Sequence, residues 1–463
     1  MKKKFLSLIH IFIININLIS YVFSYLNIPF KTKPSIIKDT ETNITRLFRS
    51  LIYNNIYINL EIGEPKQIVE AFLDSQDVNF YFSEKTKNDP KTNISNPNHD
   101  DVGCELENFF DKSKSNTFEI TDKTKSLNYG YNGKICYDYF YFKDDNNNEL
   151  KEKIEFILSS STMGNRPAII GLQYPRAFNG DNNFFNLLKQ KEIINSYFWM
   201  INYTSDNEGN FIVGELPHKF SPDTYREDEL IIGHPYTYKA MQEYWGLRMD
   251  DILFQDENFR PNHECYFYYE LNYILGIHEL EKEIDKYLND SINDGICFKT
   301  NVKYPYGPHK FFYCDKEKYK DKMKEFPPLR FIHKEMNYTY ELTYKDLFIE
   351  KHDKLILLIF FEESGWTWKL GKPFLKKYAF LMNHDMKTVS YYKSFGQGKE
   401  ENLDNGDIKN LILTIGLIVL GVIFLALLGV FIGKYLFKKK KRINTLDDGY
   451  EYPDTINENI INS

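Results

Sequence analysis

Short strand-like runs fill the region from about Leu51 to Tyr392 and constrain the fold more than any other feature of the sequence. Runs of β-branched and aromatic residues, such as IYINLEIG, QIVEAFLD and CYDYFYFKD, end at Asn, Asp, Gly or Pro, which is typical of strands separated by turns. Helical patterns are few and short, at Phe184 to Ile194, Glu279 to Leu288 and Pro373 to Leu381. The sequence therefore predicts a mainly β domain.

The order of features repeats along this region. An apolar strand that ends at Asp74 is followed, roughly a hundred residues later, by the apolar pair and glycine of Ile169–Gly171. A strand that ends near Glu270 is followed in the same way by Lys369–Gly371. Two halves of the region thus contain the same features in the same order, which predicts a bilobal fold with a cleft between the lobes.

Both ends of the chain carry signals of membrane targeting. A lysine-rich start and an apolar stretch from Phe5 to Phe23 predict a secretory signal peptide, with an N-terminal anchor helix as the alternative. Leu411 to Gly433 contains no charged residue and is long enough to span a bilayer. The basic run Lys438–Arg442 follows it, so the positive-inside rule predicts a single-pass type I membrane protein with a cytoplasmic tail.

Composition excludes some classes of function. The 463 residues carry a formal net charge of −7 with 42% hydrophobic residues, which fits a globular protein and argues against nucleic-acid binding. The ten histidines are scattered, and no Cys/His spacing typical of zinc occurs. The sequence therefore predicts no metal and no cofactor.

Five cysteines lie between the two targeting signals, where an oxidising compartment favours pairing. Cys297 and Cys314 are close in sequence and form the predicted disulfide. The pairing of Cys104, Cys136 and Cys265 stays open, because an odd count leaves one thiol free or bonded to another chain.

Five N-glycosylation sequons occupy the same region. A chain this rich in Asn would hold about that many by chance, so they are candidate glycan sites and no more. They are Asn43, Asn93, Asn202, Asn289 and Asn337.

Eight segments, in order, resemble the pepsin-like aspartic peptidases, also called eukaryotic aspartyl proteases, over nearly all of the region between the targeting signals. The segments are LEIGEPKQIVEAFLDSQDVNFYF, LNYGYNGKICYDYF, AIIGLQYP, NFFNLLKQKEIINSYFWMINY, GNFIVGELP, YWGLRMDDI, FPPLRF and WKLGKPFLKKYAFLMNHDMKTVSYY. The resemblance implies two β-rich lobes around a cleft. It also implies one catalytic aspartate from each lobe, the two sharing a proton and activating a water that attacks a peptide bond.

The first half-site implied by the resemblance begins at Asp74, which stands at the position of the first catalytic aspartate. Ser75 keeps the neighbouring hydroxyl, whereas Gln76 replaces a glycine, and Asp77 and Val78 replace two serines. The Cβ of Gln76 hinders the close approach of two loops, and the charge of Asp77 raises the pKa of a neighbouring carboxyl group. Taken alone, Asp74 also fits a turn aspartate that caps its own backbone.

The second catalytic aspartate is expected at Glu270, within CYFYYELNYILGIHEL. Leu271 and Tyr273 lack the hydroxyl pattern of the family, and Asn272 replaces its glycine. Glu270 therefore fits a solvated acid at a strand edge at least as well as a catalytic residue.

A flap over the substrate is the last site feature that the resemblance implies. Tyr129 and Gly130 match the tyrosine and glycine of the family's flap hairpin, and with Ser75 they are the predicted substrate-binding residues.

The signals and the resemblance together divide the chain into seven segments. They are a signal peptide (1–24), a pro-segment (25–48), an N-terminal lobe (49–217), a C-terminal lobe (218–397), a polar stalk (398–410), a transmembrane helix (411–433) and a cytoplasmic tail (434–463).

The function expected from these features is that of a membrane-anchored pseudo-peptidase of the secretory pathway, which binds extended polypeptide in its cleft and hydrolyses it poorly or not at all. The first alternative is an active endopeptidase in which Asp74 works with Glu270, or with Asp77, as an unusual dyad. The second is a surface protein that uses the two lobes only as a scaffold.

Overall fold

The structure is a computed structural model that describes residues 25–33, 48, 51–52, 54–84, 108–127, 132–143, 148–159, 166–173, 183–235, 244–259, 263–304, 307–362 and 367–396. The signal peptide, stalk, membrane span and tail predicted from the sequence lie outside these residues, as do Asn43, Asn93, Cys104, Tyr129 and Gly130. Among the described residues, no helix has both the length and the apolar character needed to cross a bilayer.

Strands account for most of the regular structure, as the sequence predicts. In chain order they are β1 (Leu26–Lys33), β2 (Asn55–Ile62), β3 (Gln67–Asp74), β4 (Phe80–Ser83), β5 (Glu119–Ser126), β6 (Asn132–Lys143), β7 (Glu149–Ser159), β8 (Ala168–Gly171), β9 (Phe198–Tyr203), β10 (Glu208–Val213), β11 (Leu230–Gly233), β12 (Gly246–Met249), β13 (Asp251–Phe254), β14 (Glu257–Phe259), β15 (His263–Phe267), β16 (Ile274–Gly276), β17 (Cys297–Tyr304), β18 (Gly307–Asp315), β19 (Leu329–His333), β20 (Tyr338–Leu342), β21 (Phe348–Lys351), β22 (Lys354–Leu357), β23 (Ile359–Glu362), β24 (Trp368–Leu370), β25 (Leu381–Asn383) and β26 (Thr388–Tyr392).

The helices are short except for one of 16 residues. They are α1 (Phe184–Gln190), α2 (Pro217–Phe220), α3 (His278–Asn293), α4 (Lys316–Tyr319), α5 (Tyr344–Leu347), α6 (Lys372–Lys377) and α7 (Lys393–Gly396), with 3-10 turns at Lys112–Lys114, Glu227–Glu229 and Lys322–Glu325. The three helices predicted from the sequence are α1, α3 and α6. Leu381, the predicted end of the third helix, instead begins β25, because the chain leaves the helix at Tyr378 and pairs with β9.

Three sheets contain the described strands. The largest has 13 strands in the order β11-β26-β25-β9-β10-β1-β2-β3-β8-β4-β7-β6-β5, so strands from both ends of the domain meet in it. A nine-stranded sheet has the order β12-β15-β24-β16-β23-β18-β22-β21, with β17 paired to β18, and a four-stranded sheet has the order β14-β13-β19-β20. Below, the first lobe means β2 to β8, and the second lobe means the two smaller sheets.

The nine-stranded sheet buries side chains on both faces. Along β18 and β23, Phe312 and Phe361 point into the main core, while the alternate residues Phe311 and Phe360 point to the opposite face. This alternation follows from the two-residue period of a strand. The second face is therefore apolar, and it lies beside the loop that carries Glu270.

The predicted disulfide between Cys297 and Cys314 is confirmed, and it joins paired residues of β17 and β18. Cys136 and Cys265 are buried free thiols. The third cysteine left open by the sequence, Cys104, lies outside the described residues.

Candidate active site

Asp74 lies where two strands of the first lobe separate around a third. β3 runs parallel to β8, with Asp74 opposite Gly171, and β4 runs antiparallel to the other side of β8. Residues 74–79, here called the first loop, therefore cross the end of β8. A Cβ atom on Gly171 would lie 2.5 Å from the backbone oxygen of Asp77, so the loop can close over this strand only at a glycine.

The second lobe repeats this arrangement. β15 runs parallel to β24, and β16 runs antiparallel to its other side. Residues 268–273, here called the second loop, cross the end of β24. A Cβ atom on Gly371 would lie 2.5 Å from the backbone oxygen of Leu271, so a glycine again backs the loop. The internal repeat predicted from the sequence is thus present as two matching loops.

The sheet register identifies which residues of the two loops correspond. Asp74 lies opposite Gly171. In the second lobe Phe267 lies opposite Leu370, so the next residue, Tyr268, takes the place beside Gly371. The position equivalent to Asp74 is therefore Tyr268, and Glu270 corresponds to Gln76. The register thus differs by two residues from the assignment of Glu270 made from sequence.

A second spacing agrees with this register. Seven residues separate Asp74 from Tyr81, which lies opposite Ile169 on β8. Seven residues also separate Tyr268 from Leu275, which lies opposite Lys369 on β24. The two loops therefore have equal length when Tyr268, and not Glu270, is matched with Asp74.

The Glu270 side chain crosses from the second lobe to the first. The Ser75 hydroxyl donates to its Oε2 at 2.6 Å, and the Ser75 backbone N–H donates to its Oε1. The backbone oxygen of Glu270 accepts the N–H of Asn54 at 2.5 Å. Both carboxyl oxygens of this buried residue are thus held by the residue that follows Asp74.

Two buried carboxyl groups of the site have raised pKa values. Burial, and then the negative charge of Asp74, raise the pKa of Glu270 to about 7, although the two hydrogen bonds from Ser75 oppose the shift. Burial and Asp74 likewise raise the pKa of Asp77 to about 6, against the hydrogen bonds from Asn79. Glu270 therefore takes up a proton near neutral pH, and Asp77 takes one up in mild acid.

Asp74 is paired with an arginine that no sequence motif marks. Arg166 Nη1 lies 2.8 Å from Asp74 Oδ2, and the Gln76 backbone N–H donates to the other oxygen, Oδ1, at 2.8 Å. The guanidinium lies over the Phe72 ring, 5.2 Å from its centroid. Phe72 belongs to a small apolar cluster with Tyr81, so the cation lies between this cluster and the carboxylate.

A tyrosine ring fills the position that matches Asp74. Tyr268 stacks on Tyr244 with 5.6 Å between ring centroids, and Lys369 Nζ lies 5.5 Å from the Tyr268 centroid. Burial is the largest cause that raises the pKa of Tyr268 well above its usual value. The phenol is thus neutral in any ordinary buffer and cannot act as a base.

Residues upstream of β2 cover the second loop. Phe48, Leu51 and Ile52 are buried against the outer face of the nine-stranded sheet. The Phe48 ring lies 5.7 Å from the rings of both Phe311 and Phe360. The predicted boundary at residue 48 therefore falls inside a packed segment, which sequence periodicity did not reveal.

The hairpin that would carry the flap is present up to its tip. β5 and β6 pair as far as Ser126 opposite Asn132. Tyr129 and Gly130, which lie between these two residues, are outside the described part of the chain.

Comparison with known proteins agrees with this geometry. The family model of eukaryotic aspartyl proteases matches residues 55–393. The chain belongs to this family.

Conglutin gamma, a basic 7S globulin from lupine seeds, is a solved structure to which this chain is similar, with a TM-score of 0.53 and 11% sequence identity. The match covers 81% of this family member and 97% of conglutin gamma, and at that identity it supports the fold alone. No curated protein sequence gives a significant match. The pepsin-like fold expected from the eight segments is confirmed.

Proposed function

We propose that this aspartyl-protease-family domain binds extended polypeptide in its cleft without hydrolysing it efficiently. The ion pair between Arg166 and Asp74 carries the proposal, because it places a fixed cation on the one carboxylate that matches the family motif. Hydrolysis by this family requires two carboxyl groups that share a proton. The Arg166 cation, at 2.8 Å, occupies one oxygen of Asp74 and offsets its charge, which opposes that sharing.

The second loop supports the same proposal. Its position equivalent to Asp74 holds the neutral ring of Tyr268, and the nearest carboxyl group in sequence, Glu270, accepts two hydrogen bonds from Ser75. Residues of a catalytic pair act as a unit, so loss of one removes most of the rate.

Membership of a peptidase family supports peptide binding, since such a domain takes polypeptide between its two lobes. An extended ligand would bind there through backbone hydrogen bonds to neighbouring strands.

An active endopeptidase is the second candidate, and one observation favours it. Glu270 has a pKa of about 7 that is raised by burial and by the charge of Asp74, and a carboxyl group perturbed in this way is typical of catalytic sites. In this case Glu270 would carry the shared proton, and Asp74 would accept one from water. A surface scaffold that binds no peptide is the third candidate.

The proposed location is the secretory pathway, with the lobes on the lumenal or extracellular side of one transmembrane helix. The apolar run from Leu411 to Gly433 and the basic residues after it support this topology.

One assay separates the three candidates. Purified residues 25–397 are incubated with an unfolded protein from mildly to strongly acidic pH, with and without a peptide inhibitor that mimics the transition state, and peptide binding is measured in parallel. We expect binding without cleavage. Inhibitor-sensitive cleavage that Asp74→Ala abolishes would establish the endopeptidase instead, and absence of both binding and cleavage would favour the scaffold.

A further inference from the structure

Asn337 lies at the tip of a hairpin in the second lobe. It closes the turn between β19 and β20 with a φ of 46°, in the left-handed region that asparagine tolerates. Its side chain is exposed, and so is Thr339, the third residue of its sequon. Asn337 therefore lies on an exposed turn, where solvent can accommodate a bulky group.

Asn202 carries the same Asn-Tyr-Thr sequon in the opposite environment. It lies on β9 inside the 13-stranded sheet, opposite Asn210 of β10. Its Nδ2 donates to the hydroxyl of Tyr225 at 2.9 Å. Tyr225 is only 4% exposed and packs against Tyr392, so the amide nitrogen of Asn202 is used within the folded protein.

We propose that Asn337 carries an N-linked glycan in the folded protein and that Asn202 does not. The inference rests on the proposed secretory location. The donor is a polyprenyl-pyrophosphate oligosaccharide of the secretory pathway: the Asn337 Nδ2 forms a bond to the sugar C1, the C1–oxygen bond to pyrophosphate breaks, and the amide loses one proton. The product adds a solvated group to an exposed hairpin.

Folding explains why glycan occupancy in the secreted protein should differ between the two sequons, even if both are glycosylated before the chain folds. A glycan on Asn202 would remove a donor proton of Nδ2 and insert a sugar beside the buried Tyr225. The amide keeps one N–H, but the sugar has to fit beside the buried Tyr225, so such chains cannot close this part of the sheet without displacing it. Quality control removes poorly folded chains, so the secreted population is depleted of glycan at Asn202.

The test expresses residues 25–397 behind a foreign signal peptide in a eukaryotic host, so that entry into the secretory pathway does not depend on the chain's own leader. Secreted protein is deglycosylated enzymatically in ¹⁸O-water, and mass spectrometry then measures the fraction of each Asn that was occupied. Thr339→Ala removes the Asn337 sequon at an exposed position, and Thr204→Ala removes that of Asn202.

We expect Asn337 to be occupied in most molecules and Asn202 in few. Thr339→Ala should lower the mass by one glycan, and Thr204→Ala should leave the mass unchanged apart from the substitution. The proposal is overturned if Asn337 is unoccupied, or if Asn202 is occupied to the same extent in secreted protein. A parallel sample with the native leader tests location separately, since its retention in the cytosol would refute only the secretory assignment.

Discussion

The first loop (74–79) and the second loop (268–273) cross their strands in the same way and differ in nearly every side chain. Each is backed by a glycine, Gly171 or Gly371, whose Cβ would collide with loop backbone. At the matching position, however, one loop holds Asp74 and the other Tyr268. The two loops therefore share a backbone arrangement that the glycines permit, whereas the side chains at the matching position differ in chemistry.

A second difference lies in what covers each loop. The first loop faces Arg166, a partly exposed cation. The second loop is covered by Phe48, Leu51 and Ile52 in an apolar cluster. A charged partner therefore contacts the first loop, and apolar side chains cover the second. Substitutions beside the first loop should mainly change protonation, and substitutions beside the second should mainly change the free energy of unfolding.

The largest expected effect comes from Phe48→Ala, which removes the cover of the second loop. Loss of a fully buried phenylalanine costs about 3–5 kcal/mol of unfolding free energy, and Phe48 is 0% exposed. Phe298, which is 39% exposed, is the matched control, and Phe298→Ala should cost much less. Urea unfolding of residues 25–397 measures both. Equal costs would mean that Phe48 does not pack on the second lobe.

The next effect is a pH dependence from Glu270. Its pKa in the folded protein is raised from 4.5 to about 7, so between these values the folded state binds more protons than the unfolded chain. Stability from this group is therefore fully present below about pH 4.5 and is lost as the pH rises through about 7. At about 1.4 kcal/mol per pKa unit, the loss is on the order of 3–4 kcal/mol.

Unfolding free energies measured from pH 4 to 8 test this effect. Glu270→Gln should flatten most of the decline, because the amide does not titrate. Asp77→Asn is the matched control: its group has a pKa of about 6, so it should remove a smaller decline of the same sign. An unchanged slope in Glu270→Gln would show that another group titrates.

Much of this architecture follows from the sequence, and the reasons are local. The strand runs, the start of α1 at Phe184, the Cys297–Cys314 pair and the Asp74 turn all depend on residues within one element or one hairpin. Such local patterns can be recognised in a single amino-acid sequence.

The missed features depend on contacts distant in sequence. Arg166 lies 92 residues from Asp74, and no local pattern marks it. The assignment from sequence placed Glu270, two residues too far along, at the position that matches Asp74. The second loop lacks the hydroxyl and glycine residues by which the family motif is aligned. Only the pairing of β15 with β24 shows that Tyr268 takes this position. Burial of Phe48 depends on a face formed by β18 and β23.

The third effect tests whether the two loops share a backbone plan. Gly171→Ala and Gly371→Ala should each cost about 1–3 kcal/mol, the usual penalty for overpacking a rigid site, because both Cβ atoms would lie 2.5 Å or less from a backbone oxygen. Gly295→Ala is the control, since its Cβ meets nothing within 4 Å and only its φ of 66° opposes the change. In thermal unfolding, both loop variants should have a lower Tm than this control variant. A large cost at only one glycine would contradict the shared plan.

The smallest effect on stability, and the most informative about the site, is expected from Arg166→Met. The ion pair is partly exposed, with 28% of the Arg166 side chain accessible, so its loss should cost about 1 kcal/mol or less. Without the cation, however, the charge of Asp74 is no longer offset, and the pKa of Glu270, which that charge already raises, should rise further. The pH at which stability declines should then move upward relative to the unsubstituted protein, while Arg166→Lys, which keeps the charge, should restore most of the original midpoint. If the midpoint does not move, Arg166 does not govern the protonation of the two loops, and the proposed reason for poor catalysis fails.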